Sequence, residues 1–549
     1  MSFYRALVTF LFVLSACLQA YAQESDLFDE ELLKKLPLRK KIGQMFMVGF
    51  RGQTLKEGLG ASIKAISPGG IIIFGRNIST PKQVAELIYS AQKASLAATG
   101  VPLLVATDQE GGNVIRIKTA IALPSPLAIG QAGKPEIAEK AGLATGRLLK
   151  TLGINMNLAP VLDVSDPKKL TFVGTRTYGS DPYLVAMMSS HFAAGLMNAG
   201  VLATGKHFPG HGGISEDSHL LTPEKNETLD EMMKHDLIPF AKLQERFKNQ
   251  WAVMLAHVSY PKIDPSGDPA TFSKPIVQGI LREKLGFDGV VLTDDLSMAG
   301  AEKIKDFDER VIRSIEAGAD MILVAWNSKW QRSLVQIVER AVRSGRISEK
   351  RIDESVQRIL RAKKKFATDN KLANPYQLQM AVNSSDLKEV AAATLVSTFS
   401  RAIDGDEKEL RSYAADRPVL VFSSSPEFTT SFLKGLSKRN NVRTFKLDVG
   451  RPHDVNRIMR ANPDALGVFY LSGYRIGRIA SKIGDDVARR MLLVTVEPPG
   501  HLPNIDNFRY VKSVFMRHPA LGSLIARRYF REQKRAATLR APAVATSKK

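Results

Sequence analysis

Three of the nine histidines, one lysine and one aspartate fall within fourteen residues, Lys206-His207-Phe208-Pro209-Gly210-His211-Gly212 followed by Asp217-Ser218-His219. Histidine exchanges protons near neutrality, and an aspartate two residues away can fix its tautomer and orientation. The stretch can therefore do general acid/base work. Its proline and glycines predict a loop rather than a helix or strand. Apolar Val201-Leu202-Ala203 leads into it, as the end of a buried strand would. Other polar residues follow short apolar runs in the same way: Asp108, Gln109 and Glu110, then Asp163 with Arg176 beyond it, then His257, Asp294, Asp295 and Trp326-Asn327. Carboxylates, arginine, lysine and histidine without a cysteine nucleophile point to polyol binding and acid/base chemistry. The basic residues among them would repel a cation, which argues against a metal, and no cofactor is expected.

Residues this far apart converge only if the chain brings strand ends to one rim. Between 37 and 366, short apolar runs alternate with helical patterns. The runs are Gln44–Phe50, Gly70–Phe74, Pro102–Ala106, Ile154–Val161, Leu202–Gly205, Ala252–His257, Gly289–Leu292 and Met321–Ala325. Each is continuous in hydrophobicity, as expected of strands buried on both faces. The spacing predicts helices over Pro81–Ala98, Pro135–Leu152, Pro182–Ala199, Lys274–Lys284, Ser328–Ser344 and Glu349–Lys365. Three of them begin at proline, a first-turn residue. Eight strands alternating with helices predict a (β/α)8 barrel over 30–366, with active residues at the C-terminal strand ends.

Composition predicts a linker at 367–384 and a smaller C-terminal α/β domain at 385–530. That domain is expected to hold a helix over Asp386–Arg401 and strands over Val419–Phe422, Thr444–Leu447, Ala465–Leu471 and Leu492–Val496. A basic tail, 531–549, reads as disordered. The net charge of +22 suggests an anionic partner. The chain carries neither a zinc-ligand pattern nor an aromatic RNA-binding signature, so an anionic envelope polymer is favoured over nucleic acid.

Residues 1–22 read as a signal peptide, with Arg5 the only charge before Glu24. Ala20-Tyr21-Ala22 before Gln23 fits A-x-A cleavage. Leu14-Ser15-Ala16-Cys17 also looks like a lipobox, so a membrane anchor is expected only if Cys17 is lipidated. Either route exports the protein to the periplasm or cell envelope. Cys17 is the only cysteine, so no disulfide can form within the chain.

Five motifs, in order, resemble family 3 glycoside hydrolases, in particular the bacterial β-N-acetylglucosaminidases that act on peptidoglycan fragments. They are Asp108-Gln-Glu-Gly-Gly, Asn157-Leu-Ala-Pro-Val-Leu-Asp163-Val, Gly174-Thr-Arg176-Thr-Tyr-Gly-Ser-Asp181-Pro, the Lys206–His219 stretch and Thr293-Asp294-Asp295-Leu-Ser-Met. The resemblance implies a retaining glycosidase with Asp294 as nucleophile. It also implies His219 as acid/base, oriented by Asp217, where most glycosidases use a second carboxylic acid. Asp108, Arg116, Arg176, Lys206 and His207 match the family's sugar-binding positions, and GlcNAc-containing muropeptides are the implied substrate. Asp163, His257 and His211 fit structural roles. Asn113 and Gly213 depart from the family's common arginine and aspartate. Another family 3 activity such as β-glucosidase, phosphorolysis, and a non-catalytic envelope carbohydrate-binding protein stay open as alternatives.

Overall fold

The computed structural model describes residues 31–530 except 219–220, 327, 370, 401–403, 416, 437–440, 448–452, 473–476 and 503. The expected signal peptide, Cys17 and the basic tail lie outside the described residues. Among the described residues, no helix is long and apolar enough to cross a membrane.

Eight parallel strands form the first sheet: β1 Phe46–Val48, β2 Gly70–Ile72, β3 Leu104–Thr107, β4 Met156–Asn157, β5 Leu202–Phe208, β6 Ala252–Leu255, β7 Val290–Thr293 and β8 Ile322–Val324. They pair in the order β7-β6-β5-β4-β3-β2-β1-β8, and a parallel bridge between Leu292 and Met321 closes the ring. Every residue of these strands is buried, because helices cover the outer face and side chains fill the inner one. The helices start where the local chemistry supports them. Thr80, Asp181 and Ser348 cap Pro81–Thr99, Pro182–Asn198 and Glu349–Phe366, each accepting a hydrogen bond from a first-turn backbone N–H. Helices Pro135–Thr151 and Pro182–Asn198 meet backbone to backbone. A Cβ on Gly195 would lie 2.1 Å from Glu139 O, so only glycine permits that crossing.

Three sequence expectations change. The fourth strand is two residues long because Pro160, which has no N–H, interrupts the ladder expected over Ile154–Val161. The fifth runs further than expected. Lys206 bridges Val161 and Phe208 pairs with Leu255, so Lys206 and His207 sit inside β5 and the loop begins at Pro209. The segment expected to be a linker contains the helix Pro375–Val382, entered through a reciprocal cap between Asn374 and Gln377.

The C-terminal domain is a five-stranded parallel sheet in the order β10-β9-β11-β12-β13. Its strands are β9 Val419–Ser423, β10 Val442–Lys446, β11 Leu466–Leu471, β12 Met491–Thr495 and β13 Tyr510–Ser513. The fifth has no counterpart in the sequence reading because Lys512 breaks its apolar run. That side chain is buried, with its ammonium 5.3 Å from the Phe399 ring centroid. The domain reaches back to the barrel. Ser125 Oγ donates to Phe515 O at 2.6 Å, Gly500 N donates to Pro167 O at 3.0 Å, and His501 Nε2 lies 2.9 Å from Thr171 O.

Candidate active site

The C-terminal strand ends surround a cavity of about 530 Å³. Asp108, Arg116, Arg176, Lys206, His207 and Asp294 all line it. Six of the eight residues singled out from sequence therefore converge, delivered by the ends of four strands, β3, β4, β5 and β7, or the connections after them.

Asp108 leaves β3 and accepts from two cations: Lys206 Nζ at 3.0 Å on Oδ1 and Arg116 Nη2 at 3.2 Å on Oδ2. Gln109 makes that possible. Its Oε1 accepts from the backbone N–H groups of Arg116 and Ile117, folding the hairpin back over the cavity. Two residues past Asp108, Glu110 is the buried hub of the site. It accepts Arg176 Nε at 2.8 Å and Nη2 at 2.9 Å, and lies 2.7 Å from Lys206 Nζ. Burial alone would raise its pKa, but the Arg176 and Lys206 charges outweigh burial and hold the carboxyl well below its usual range. Burial opposes the charge on Lys206 in turn, and Glu110 and Asp108 overcome it, so its pKa is raised and the ammonium persists.

His207 is fixed from behind. Asp163 Oδ2 lies 2.7 Å from His207 Nδ1, and Asp163 Oδ1 accepts the backbone N–H groups of His207 and His211. Burial would raise the Asp163 pKa, but His207 and the other contacts lower it, so a carboxylate faces Nδ1. Nδ1 therefore donates to that carboxylate, and Nε2 lies 3.5 Å from Arg176 Nη2. Asp163 is a positioning residue. His257 is structural too, with Nδ1 on Thr271 Oγ1 and Nε2 on the Asp295 carbonyl. His211 is buried against Phe172, and burial pushes its pKa down to about 4.

Asp294 follows β7 and is half-buried at the cavity, its Oδ1 accepting Asp295 N at 2.8 Å. Asp295 lines the same cavity but is buried. Its Oδ1 accepts the backbone N–H groups of Ser297 and Ala325, and burial, helped by the neighbouring Asp294 charge, pushes its pKa to about 6. The two adjacent carboxyls thus line the same cavity in different environments, Asp294 half-buried and Asp295 buried.

Asp217 is half-buried in the loop after β5 and does not line the cavity, whereas its neighbour Ser218 does. His219 lies outside the described residues. The loop is anchored on both sides of it: Ser218 O accepts Gly300 N at 2.9 Å, and Thr222 Oγ1 donates to Gly300 O at 2.9 Å.

Sequence reasoning passed over the central role of Glu110. Alternation along an extended chain puts residues i and i+2 on one face, so Glu110 could have been placed beside Asp108. The arginine at the cavity mouth, Arg76, had no signal beyond lying just past an apolar run. Among the described residues, no group of three or more histidines, cysteines and carboxylates is arranged to hold a metal ion.

Comparison with known proteins agrees with this geometry. The profile of the glycosyl hydrolase family 3 N-terminal domain matches residues 37–362. A Pseudomonas aeruginosa protein named β-hexosaminidase is 43% identical over 258 residues, covering 47% of this chain and 74% of its own. An Idiomarina loihiensis β-hexosaminidase is 39% identical over 267 residues, 48% of this chain and 78% of its own. The solved structure of a glycoside hydrolase family 3 β-N-acetylglucosaminidase from Paenibacillus sp. FPU-7 superposes with a TM-score of 0.77 at 30% identity. That similarity covers 90% of this chain and 97% of the other, and so includes both domains.

Proposed function

The chain belongs to glycosyl hydrolase family 3 and is a glycoside hydrolase, and from that premise we propose that it is a retaining exo-β-N-acetylglucosaminidase releasing terminal β-linked GlcNAc from peptidoglycan-derived muropeptides. The observation that carries the reading is the convergence of Asp294, at the end of β7, with Asp108, Arg176, Lys206 and His207 on one cavity. Asp108, Lys206, Arg176 and His207 offer fixed donors and acceptors to the hydroxyls of one non-reducing-end sugar.

Asp294 attacks the anomeric carbon, and the glycosidic oxygen leaves with a proton from His219. The product is a glycosyl ester on Asp294. His219, now neutral, takes a proton from water as that water attacks the same carbon. The ester bond breaks, and the stereochemistry at the anomeric carbon is retained. Asp217 orients the ring of His219. One residue serves as acid and then as base, which suits an imidazole whose unperturbed pKa lies near 6.5.

The reading includes export to the periplasm or envelope through residues 1–22. The start of the mature chain, Gln23 or an acylated Cys17, is measured by mass spectrometry of the purified protein.

Product analysis on muropeptides with and without phosphate tests the activity. Free GlcNAc in both conditions is expected. GlcNAc 1-phosphate appearing with phosphate would replace hydrolysis by phosphorolysis, and cleavage of aryl β-glucosides in preference to aryl β-GlcNAc would replace the sugar. A 2-fluoro or 5-fluoro sugar is expected to label Asp294, and Asp294→Ala to abolish turnover with the fold retained. A label on Asp295 overturns the assignment.

A further inference from the structure

The loop that follows β5 leaves the barrel as Pro209-Gly210-His211-Gly212 and returns as Pro223-Glu224-Lys225. Both stems dock on the segment after β6. On the outgoing side, Tyr260 Oη donates to Gly210 O at 3.0 Å. On the returning side, Lys225 N donates to Ser259 O and Ser259 N to Pro223 O, each at 2.9 Å. The outgoing stem is tightly packed. A Cβ on Gly212 would lie 1.8 Å from Val164 O, and one on Gly210 would lie 2.7 Å from Asp236 Cβ. Past that stem the packing opens: Gly213 has φ +78°, with nothing within 4 Å of where a Cβ would stand.

One side chain ties the two stems together. Lys225 is buried, and its ammonium meets three oxygens: Gly212 O at 3.0 Å, Asp236 Oδ1 at 2.7 Å and Glu227 Oε2 at 3.4 Å. Three acceptors match the three donors of an ammonium. Asp236 is itself buried, with Oδ2 3.3 Å from His235 Nδ1. A buried ion pair is a costly way to stabilise a turn, since apolar side chains of similar volume often do as well. What this one adds is a fixed separation between two stems that are joined only through the loop. Asp217 and His219 lie between those stems. Lys225 does not line the cavity, so any effect it has on the reacting atoms passes through the loop.

We propose that Lys225, braced by Asp236, is a positioning residue for proton transfer: by fixing the two stems against each other it sets where the loop delivers His219. The inference rests on the acid/base reading of His219 and adds the group that acts through it.

Kinetics on two substrates test it: chitobiose, whose sugar leaving group needs a proton, and nitrophenyl β-GlcNAc, whose leaving group needs little. The ratio of their kcat/KM values, measured on one preparation, is independent of the folded fraction. A role in folding alone lowers both substrates alike. Lys225→Met removes the tie and is expected to lose about tenfold more kcat/KM on chitobiose than on the nitrophenyl glycoside. Asp236→Asn leaves the ammonium on Gly212 O and Glu227 and is expected to show the same selectivity at about threefold. Added to His219→Ala, Lys225→Met is expected to bring no further selectivity, because the lysine acts through that histidine. A wild-type ratio in Lys225→Met, or a selectivity that adds in full to that of His219→Ala, overturns the proposal. Should Lys225→Met give no folded protein, Asp236→Asn decides alone, and a wild-type ratio there overturns it. Equal losses on both substrates in His219→Ala itself instead defeat the acid/base reading on which the proposal rests.

Discussion

Glu110 and Arg176 form a two-pronged ion pair, 2.8 and 2.9 Å, beneath the cavity, with Glu110 side chain only 1% exposed. Lys206 completes the cluster from β5 at 2.7 Å. Two cations facing one buried carboxylate fix one another's positions at the cavity before any ligand arrives, which is where positioning energy is gained.

Glu110→Gln tests that arrangement. It leaves Arg176 and Lys206 short of a buried counter-charge, a loss of about 3–5 kcal/mol in folding stability. A drop of about a hundredfold in kcat/KM is expected from misplacement of both side chains. The pH dependence has a definite sign. The folded carboxyl is held below the unfolded value of about 4.3, so its stabilisation is present above that pH. It is lost as pH falls through the folded pKa. Denaturant titrations from pH 7 to 3 are expected to show a steeper acid loss in the wild-type protein than in Glu110→Gln. Parallel curves would contradict the role given to the pair.

Much of this was legible in the sequence, for physical reasons. Strands buried on both faces read as uninterrupted apolar runs, so eight strands and their polar ends could be placed, and barrel geometry brings those ends together. Hydrogen-bond partners outside the local chain could not be read. Lys206 and His207 were expected in a loop because Pro209 and Gly210 follow, but pairing with Val161 and Leu255 carries the strand through to Phe208. Tyr510–Ser513 escaped notice because a buried lysine looks like a surface residue until Phe399 is beside it. Glu110 gained its importance only from partners on other strands.

The C-terminal domain is expected to support the site through His501. Its Nε2 meets Thr171 O at 2.9 Å, one residue before Phe172 at the cavity wall and five before Arg176. A Cβ on Gly174 would lie 2.8 Å from the His501 ring, so the contact is close. His501→Ala is expected to raise KM several-fold for aryl GlcNAc with a smaller change in kcat, and to cost about 1 kcal/mol of stability. A kcat loss with KM unchanged would place the effect on the chemical step instead.

Lys363 sits at the other end of the barrel, buried, with Nζ donating to Gln44 Oε1 at 2.5 Å. Burial drives its pKa well below the ordinary lysine value. The unfolded chain therefore binds the proton that the folded one releases. Stability is expected to rise with pH between the folded pKa and the unfolded value of about 10.4, at up to about 1.4 kcal/mol per pH unit from this group. Lys363→Met removes that slope. Chemical denaturation at pH 7, 8.5 and 10 measures it, and a wild-type-minus-variant difference that stays constant across the series would show that the ammonium is not suppressed.

Gly300 sets the position of the loop that carries Asp217 and His219. Its N–H and carbonyl hold Ser218 and Thr222, and a Cβ there would stand 2.7 Å from Ser218 O and 2.8 Å from His257 Cβ. Gly300→Ala therefore pushes the loop away while leaving Asp294 untouched. His219 as proton donor matters most for a poor leaving group, because a nitrophenolate departs with little protonation. His219→Ala is expected to lose at least about a hundredfold more kcat/KM on chitobiose than on nitrophenyl β-GlcNAc. Gly300→Ala is expected to show the same selectivity in weaker form, about tenfold. Steady-state kinetics on the two substrates, with thermal unfolding as a check on the fold, decide the matter. Equal losses on both substrates in His219→Ala would mean that this histidine binds or positions the sugar, and the acid/base role would pass to another residue.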